Sequence, residues 1–156
     1  MDGCVLCPRL CGADRSAAAG ICGMSDALTV AAAFPHFWEE PCISGTNGSG
    51  AVFFSGCPLG CVFCQNAKIS HGRFGKPLTP EALMRVFDTL LAQGVHNLNL
   101  VSPTPYADIL ARVLAQYRPP VPVIYNCGGY ERVETLRRLE GLVNIWLPDI
   151  KFFDPA

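Results

Sequence analysis

Three cysteines at short, fixed spacing are the residues of this sequence best suited to chemistry. Cys57, Cys61 and Cys64 form a C-x3-C-x2-C motif. Cysteine thiolates are the usual ligands of iron–sulfur clusters, and three of them can hold three irons of a [4Fe–4S] cube. Because the motif contains no fourth cysteine, the fourth iron would stay open to an added ligand. The motif therefore predicts a cluster that takes part in chemistry instead of only carrying electrons.

Two alternatives to a cluster stay open on the residues alone. One is a zinc knuckle, which would need a fourth ligand such as His71. The second is a set of buried free cysteines, which behave as small apolar residues. Free burial is the weaker alternative, because two short spacings directly after a predicted strand are improbable by chance.

A second group of cysteines lies at the start of the chain, at positions Cys4, Cys7, Cys11 and Cys22. Four thiolates can hold a tetrahedral zinc ion or a second iron–sulfur cluster, and the spacing does not choose between them. The segment has too few apolar residues to order itself without a metal. We therefore predict a Cys-rich metal knuckle over residues 1–26, and we expect the two remaining cysteines, Cys42 and Cys127, to be buried.

A regular alternation of strands and helices must position the cluster motif. Helical spacing of apolar residues after Thr79 predicts a helix that ends near Gly94, a second helix starts at Pro105, and a short one covers 132–139. Apolar runs predict strands over 27–33, 51–55, 97–101, 121–125 and 142–147.

Repeated strand–helix units indicate parallel strands joined by right-handed crossovers, as in a barrel or an open α/β sheet. We expect residues 27–156 to form an incomplete α/β barrel domain with about four strands. The four barrel strands are those from 51–55 to 142–147, and no helix follows the last of them, which would leave an apolar sheet edge. A C-terminally truncated chain is therefore expected.

Polar side chains interrupt the strand predicted over 97–101. Asn97 and Asn99 alternate with Leu98 and Leu100, so the amides share one face and the leucines the other. We expect the leucines to pack on helices and the asparagines to face the cofactor side of the sheet, because a buried amide needs partners.

Further short motifs extend along the chain: Cys4–Gly12, Gly20–Gly23, Glu39–Pro41, Ser44–Gly45, Cys64–Asn66, Asn97–Thr104, Tyr125–Tyr130 and Pro148–Lys151. Together with the C-x3-C-x2-C motif after a strand, they resemble the radical S-adenosylmethionine (SAM) superfamily. Within it they are similar to the PflX-like iron–sulfur proteins, which are relatives of pyruvate formate-lyase activating enzyme.

The resemblance implies a partial (β/α)6 barrel with a [4Fe–4S] cluster at the C-terminal mouth of its strands and SAM bound to the open iron. An electron donor such as a flavodoxin or ferredoxin would drive cleavage of SAM to a 5′-deoxyadenosyl radical, which takes a hydrogen atom from the substrate. In activating enzymes that substrate is a backbone glycine of a partner enzyme. The alternatives are an iron–sulfur or zinc binding module without radical catalysis, or an inactive fragment of the enzyme.

The resemblance also adds cofactor-binding candidates at strand ends, where parallel barrels carry functional residues. Ser102 and Thr104 lie where activating enzymes carry a Gly-Gly-Glu segment, which this chain lacks. Asn126 matches a polar position after the next strand, and Asp149 with Lys151 matches an Asp-x-Lys pattern near the cofactor. No catalytic residue is assigned.

Composition excludes several classes of protein. The 12 basic and 13 acidic residues give a net charge of −1, and without a basic stripe we expect no nucleic-acid partner. No apolar run reaches the ~18 residues of a membrane span, and the start lacks a signal-peptide pattern. We therefore expect a cytoplasmic protein in which nine cysteines serve metal or redox chemistry instead of disulfides.

Overall fold

A computed structural model describes residues 3–71 and 73–151. The structure does not describe residues 1, 2, 72 and 152–156. The outer ends of both predicted domains and the expected truncation point therefore lie outside the described residues. The elements in chain order are β1 (Thr29–His36), α1 (Pro41–Ser44), β2 (Ser49–Phe54), α2 (Ala67–Ser70), β3 (Lys76–Pro77), α3 (Pro80–Ala92), β4 (Leu98–Val101), a 3-10 turn (Thr104–Tyr106), α4 (Ala107–Gln116), β5 (Val123–Cys127), α5 (Val133–Arg137) and β6 (Ile145–Pro148). The α/β class predicted from the sequence is confirmed.

The strands form one mixed six-stranded sheet in the order β3-β1-β2-β4-β5-β6. β2, β4, β5 and β6 are parallel to one another, whereas β1 is antiparallel to β2 and β3. The antiparallel direction of β1 and β2 has a physical reason. The connection between them, residues 37–48, contains only the one-turn helix α1, and so short a helix does not form the crossover that two parallel strands need.

The parallel strands follow one another in chain order, with the longer helices on one face of the sheet. One continuous apolar core joins Leu98 and Leu100 of β4 to Leu83 and Phe87 of α3 and to Leu110 of α4. Crossovers of one hand put successive helices on one side when the strand order does not reverse. The described sheet is open, so the partial (β/α)6 barrel stays a prediction.

Helix α3 shows how local sequence positions the elements. The Thr79 side chain accepts a hydrogen bond from the Ala82 N–H at 3.2 Å, and Pro80 occupies the first helical position. Leu83, Phe87 and Leu90 are its buried residues. The helix ends just before Gly94, which has φ 79°. Both predicted ends of this helix agree with the structure.

Two of the parallel strands begin two or more residues later than predicted. β5 starts at Val123, directly after Pro122, because proline has no N–H to donate to a sheet ladder. Residues before β6 are taken up by a turn in which the Val143 N–H bonds to the Leu139 carbonyl at 3.1 Å. Within the part of the chain that the structure describes, no helix is both long and apolar enough to cross a membrane.

Candidate functional site

The C-x3-C-x2-C motif, residues 57–64, occupies the loop that leaves the carboxyl end of β2. We call this segment the cluster loop. Because β2, β4, β5 and β6 are parallel, the loops after them meet at the same edge of the sheet. There they enclose a pocket of about 530 Å³, a volume typical of small-molecule sites. Its lining includes Cys57, Cys61, Cys64, His36, Trp38, Glu39, Phe63, Ser102, Asn126, Asp149 and Lys151.

Contacts from three parts of the chain hold the cluster loop in place. The Tyr106 hydroxyl donates to the Ser55 carbonyl at 3.0 Å, just before the motif. Arg9 Nε donates to the Pro58 carbonyl at 3.0 Å. A Cβ added at Gly128 would lie 2.3 Å from Leu59 Cδ1, so the loop after β5 packs closely on the cluster loop and any side chain there would have to displace Leu59. The loop is therefore positioned by tertiary contacts.

The environment of the three sulfurs suits thiolate ligands. Burial raises the pKa of the Cys57 thiol, and the backbone N–H groups of Leu59 and Gly60 bond to its sulfur and oppose that rise. Cys64 Sγ lies 3.2 Å from Ser70 Oγ. Hydrogen bonds to sulfur stabilise the thiolate form and tune iron–sulfur clusters.

A cation lies beside these sulfurs. Lys151 Nζ donates to Asp149 Oδ2 at 2.5 Å, and this hydrogen bond raises the pKa of Lys151, with the Asp149 charge and the nearby Cys61 and Cys64 sulfurs acting in the same direction. The ammonium group can therefore offset part of the negative charge that thiolate ligands would bring to the pocket.

The donor set fits a cluster better than a single zinc ion. Among residues 3–71 and 73–151, no three His, Cys, Asp or Glu side chains already lie close enough to hold one metal ion, and this applies equally to a zinc ion and to a cluster, so the choice between them depends on the fourth ligand. His71, the fourth ligand that the zinc alternative needs, does not line the pocket. Three thiols spread around a wide pocket instead match a multi-iron cluster with an open position.

Four of the polar candidates line the pocket with the cysteines: Ser102, Asn126, Asp149 and Lys151. Ser102 has φ 56°, a left-handed conformation that is rare for residues other than glycine. Its N–H donates to the Asn126 carbonyl at 2.9 Å. The ends of β4 and β5 are therefore tied together at the pocket floor.

Asn97 and Thr104 are absent from the pocket lining. Asn97 precedes β4, at the opposite end of the strand from the cluster loop, where it accepts from Ser49 Oγ at 2.5 Å and donates to the Ile43 carbonyl at 2.7 Å. Thr104 donates to the Glu131 carboxylate at 2.6 Å. Both side chains are satisfied by protein partners.

Asn99 is fully buried beneath the pocket. Neither its Oδ1 nor its Nδ2 has a hydrogen-bond partner in the described part of the chain. An unpaired buried amide costs about 1–3 kcal/mol. The face of β4 opposite the helices therefore carries a side-chain amide, that of Asn99, which can still donate and accept hydrogen bonds.

Glu39 and His36 are among the pocket side chains that were not predicted to be site residues. Glu39 follows β1, and burial, reinforced by the Glu40 charge, raises its pKa. Asn126 Nδ2 donates to Glu39 Oε2 at 3.5 Å, and His36 lies in the same lining. The Asn99 amide acts weakly to lower the Glu39 pKa without reaching ordinary hydrogen-bond geometry. The only sequence signal for Glu39 was its place in the Glu39–Pro41 motif.

The remaining six cysteines lie in three environments: a small cavity, the exposed surface and the buried core. Cys4, Cys7, Cys11 and Cys22 line one small cavity behind the cluster loop. The expectation of burial is wrong for Cys42, which is exposed on the one-turn helix α1. It is confirmed for Cys127, whose burial raises the pKa of its thiol to about 12.

Comparison with known proteins agrees with this geometry. Residues 51–155, more than half of the chain, match the family model of the Radical SAM superfamily. An uncharacterized protein of Methanocaldococcus jannaschii is 29% identical over 158 aligned residues, which include 96% of this chain and 45% of that protein. The chain therefore spans less than half the length of this curated relative. No solved structure matches the chain significantly.

Proposed function

Because this chain belongs to the radical SAM superfamily, whose members are enzymes that typically use a [4Fe–4S] cluster and SAM, we propose that Cys57, Cys61 and Cys64 hold this cluster. One observation carries the proposal. The three thiols lie on one loop at the carboxyl edge of parallel strands and line a pocket rich in polar groups. Functional residues of parallel α/β folds lie at this edge.

The bound cluster and SAM would supply a 5′-deoxyadenosyl radical for hydrogen abstraction. The chain's own residues hold and orient the two groups. The amides of Leu59 and Gly60 steady the Cys57 thiolate, and Lys151 offsets negative charge beside the sulfurs. Carboxylates at Glu39 and Asp149 suit the positive ammonium and sulfonium groups of SAM.

The other predicted site residues have supporting roles in this proposal. Ser102 and Asn126 present polar atoms at the pocket floor and would orient the amino acid part of SAM. Asn97 and Thr104 act from outside the lining by fixing the start of β4 and the turn that follows it. The unpaired amide of Asn99 lies buried beneath the pocket.

We also propose a protein substrate, namely a backbone glycine of a partner enzyme, and an electron donor such as a flavodoxin or ferredoxin. The support is the resemblance to activating enzymes together with the exposed apolar residues at the pocket mouth. Trp38 is 89% exposed and Phe63 is 67% exposed, and both line the pocket. Exposed aromatic residues around a reactive site are suited to contact a protein partner.

Anaerobic reconstitution with iron and sulfide, followed by SAM and dithionite, tests this function. We expect the chain to bind iron with acid-labile sulfide and to release 5′-deoxyadenosine, measured by liquid chromatography. Cys61→Ala should release no 5′-deoxyadenosine and should bind less iron and sulfide than wild type, because it removes one of three cluster ligands. Cys42→Ser is the matched control, since this cysteine is exposed and outside both cysteine groups.

Several results would decide against the proposal. Sulfide-free zinc in the wild-type chain, or equal 5′-deoxyadenosine from wild type and Cys61→Ala, would overturn it. A sulfide-containing cluster that cleaves no SAM would favour an electron-transfer module instead.

A further inference from the structure

The N-terminal cysteines are gathered by folding of a segment that has no helix or strand of its own. In the described chain, the first regular element begins at Thr29. All four cysteines are free and partly buried, and they line one cavity together with Arg9, Arg15 and Pro58. Residues far apart in this segment therefore meet at one place behind the cluster loop.

Backbone hydrogen bonds close this segment into a compact loop. The Cys4 N–H donates to the Ala13 carbonyl at 2.9 Å, and the Gly12 N–H donates to the Cys4 carbonyl at 3.1 Å. The Leu10 N–H donates to the Cys7 carbonyl at 3.0 Å, and Leu10 has φ 44°. A non-glycine residue in the left-handed region costs energy, so the tight turn between Cys7 and Cys11 is held against strain.

Backbone N–H groups point at two of the sulfurs. The Ile21 and Ala13 amides bond to the Cys11 sulfur, and the Arg9 amide bonds to the Cys7 sulfur. Amides directed at sulfur favour the thiolate, which is the form that binds metals.

A buried cation beside the cysteines lacks a counter-charge. Arg15 is 9% exposed, and its guanidinium donates to the backbone carbonyls of Met24, Ser25 and Pro105. Within the described residues it forms no ion pair with a carboxylate. A buried charge without a partner is costly. Thiolates bound to a metal in the adjoining cavity would supply the missing negative charge.

We propose that Cys4, Cys7, Cys11 and Cys22 hold a second metal centre through four thiolates, separate from the cluster loop. The ligand class is a thiophilic metal, either a zinc ion or an iron–sulfur cluster. The sulfurs surround a cavity of about 10 Å³ without converging on one point. A zinc ion would therefore draw the four side chains inward, and a cluster would need them to move apart.

The second centre would also brace the cluster loop. Arg9 lies between two of its ligands, Cys7 and Cys11, and donates to the Pro58 carbonyl at 3.0 Å. The same side chain lies over the Tyr130 ring, with 5.9 Å from Cζ to the ring centroid. Fixing the turn around Arg9 therefore fixes one side of the loop that carries Cys57.

The test uses the triple variant Cys57→Ala, Cys61→Ala and Cys64→Ala, which removes the first site. One sample is titrated anaerobically with Co²⁺ and then Zn²⁺, and a second is reconstituted with iron and sulfide. We expect either the visible absorption of tetrathiolate Co²⁺, displaced by Zn²⁺, or iron with acid-labile sulfide. Adding Cys7→Ser or Cys22→Ser should reduce the signal to background, whereas adding Cys42→Ser should leave it unchanged.

No metal above background in a folded triple variant would overturn the proposal, as would undiminished binding after either Cys7→Ser or Cys22→Ser is added. Should the triple variant not fold, alkylation of the wild-type chain by iodoacetamide, mapped by mass spectrometry, gives the second measurement. Metal loading should protect the four N-terminal cysteines and leave Cys42 reactive; equal modification of all five would refute the second centre. This readout needs no SAM cleavage, so it stands or falls separately from the proposed function.

Discussion

Glu131 shows how a single buried carboxyl group can shape the stability of this protein. It lies after β5 and accepts hydrogen bonds from Thr104 Oγ1 at 2.6 Å and from the Tyr125 hydroxyl at 3.4 Å. Burial raises the pKa of Glu131 above its ordinary value of 4.5. No cation lies within ion-pair distance of it among the described residues, so folding shifts Glu131 toward its protonated form relative to the unfolded chain.

Glu131→Gln should therefore change how stability depends on pH. A raised folded-state pKa means that the folded chain binds this proton more tightly than the unfolded chain, so its contribution is present at low pH. That contribution is lost as the pH rises from about 4.5 through the raised value. Glutamine does not titrate, so the free energy of unfolding of the variant should not fall over this pH range. It should therefore rise relative to that of wild type as the pH increases, as measured by urea unfolding at several pH values.

Glu140→Gln is the control for this comparison, because Glu140 is exposed. Its unfolding free energy should follow that of wild type at every pH. Parallel curves for wild type and Glu131→Gln would show that burial of Glu131 has no consequence for stability.

At the scale of elements, α3 is the helix whose limits are set most locally. Its first turn combines the Thr79 cap, Pro80 and the acidic Glu81, and each favours a helix N-terminus. β1 is the opposite case. Its residues predict a strand, but its antiparallel direction depends on the short connection to β2.

Thr79→Ala should lower the free energy of unfolding by about 1 kcal/mol, because it leaves the Ala82 N–H without its cap. Urea unfolding monitored by circular dichroism measures the change. Thr89→Ala is the matched control: Thr89 is exposed in the middle of α3 and bonds only to the Arg85 carbonyl of its own helix, and alanine is the better helix former. A loss of equal size in both variants would contradict the role of the cap.

At the scale of the whole molecule, the N-terminal segment is joined to the sheet mainly through arginines. Arg15 Nη1 donates to the Pro105 carbonyl at 2.5 Å, directly before α4, while its other nitrogens bond to carbonyls of residues 24 and 25. Arg9 and Arg132 make two further links, to the cluster loop and to the Val5 carbonyl. The segment therefore depends on few, directional contacts.

Arg15→Lys should lower the free energy of unfolding by roughly 3 kcal/mol, because an ammonium group cannot reproduce the planar set of bonds to three carbonyls. Residues 3–28 should also become more sensitive to limited proteolysis. Arg112→Lys, at an exposed position of α4, should behave as wild type in both assays. If the two variants gave the same results, Arg15 would not be needed to hold the N-terminal segment against the sheet.

The sequence alone determined the features that rest on short-range signals. Cysteine spacing singled out both groups of proposed ligands, capping residues and helical periodicity located α3, and strand–helix alternation predicted the α/β class. These signals are local, because each depends on a few neighbouring residues whose conformations restrict one another.

The tertiary structure decided what depends on distant parts of the chain meeting. In the folded chain β1 pairs antiparallel with β2, Asn97 lies at the end of β4 away from the cluster loop, and Glu39 lines the pocket of the three cysteines. The tertiary structure also gathered the N-terminal cysteines beside Arg15. Strand ends and neighbouring loops choose which side chains share a cavity, and that choice depends on long-range packing that no run of adjacent residues encodes by itself.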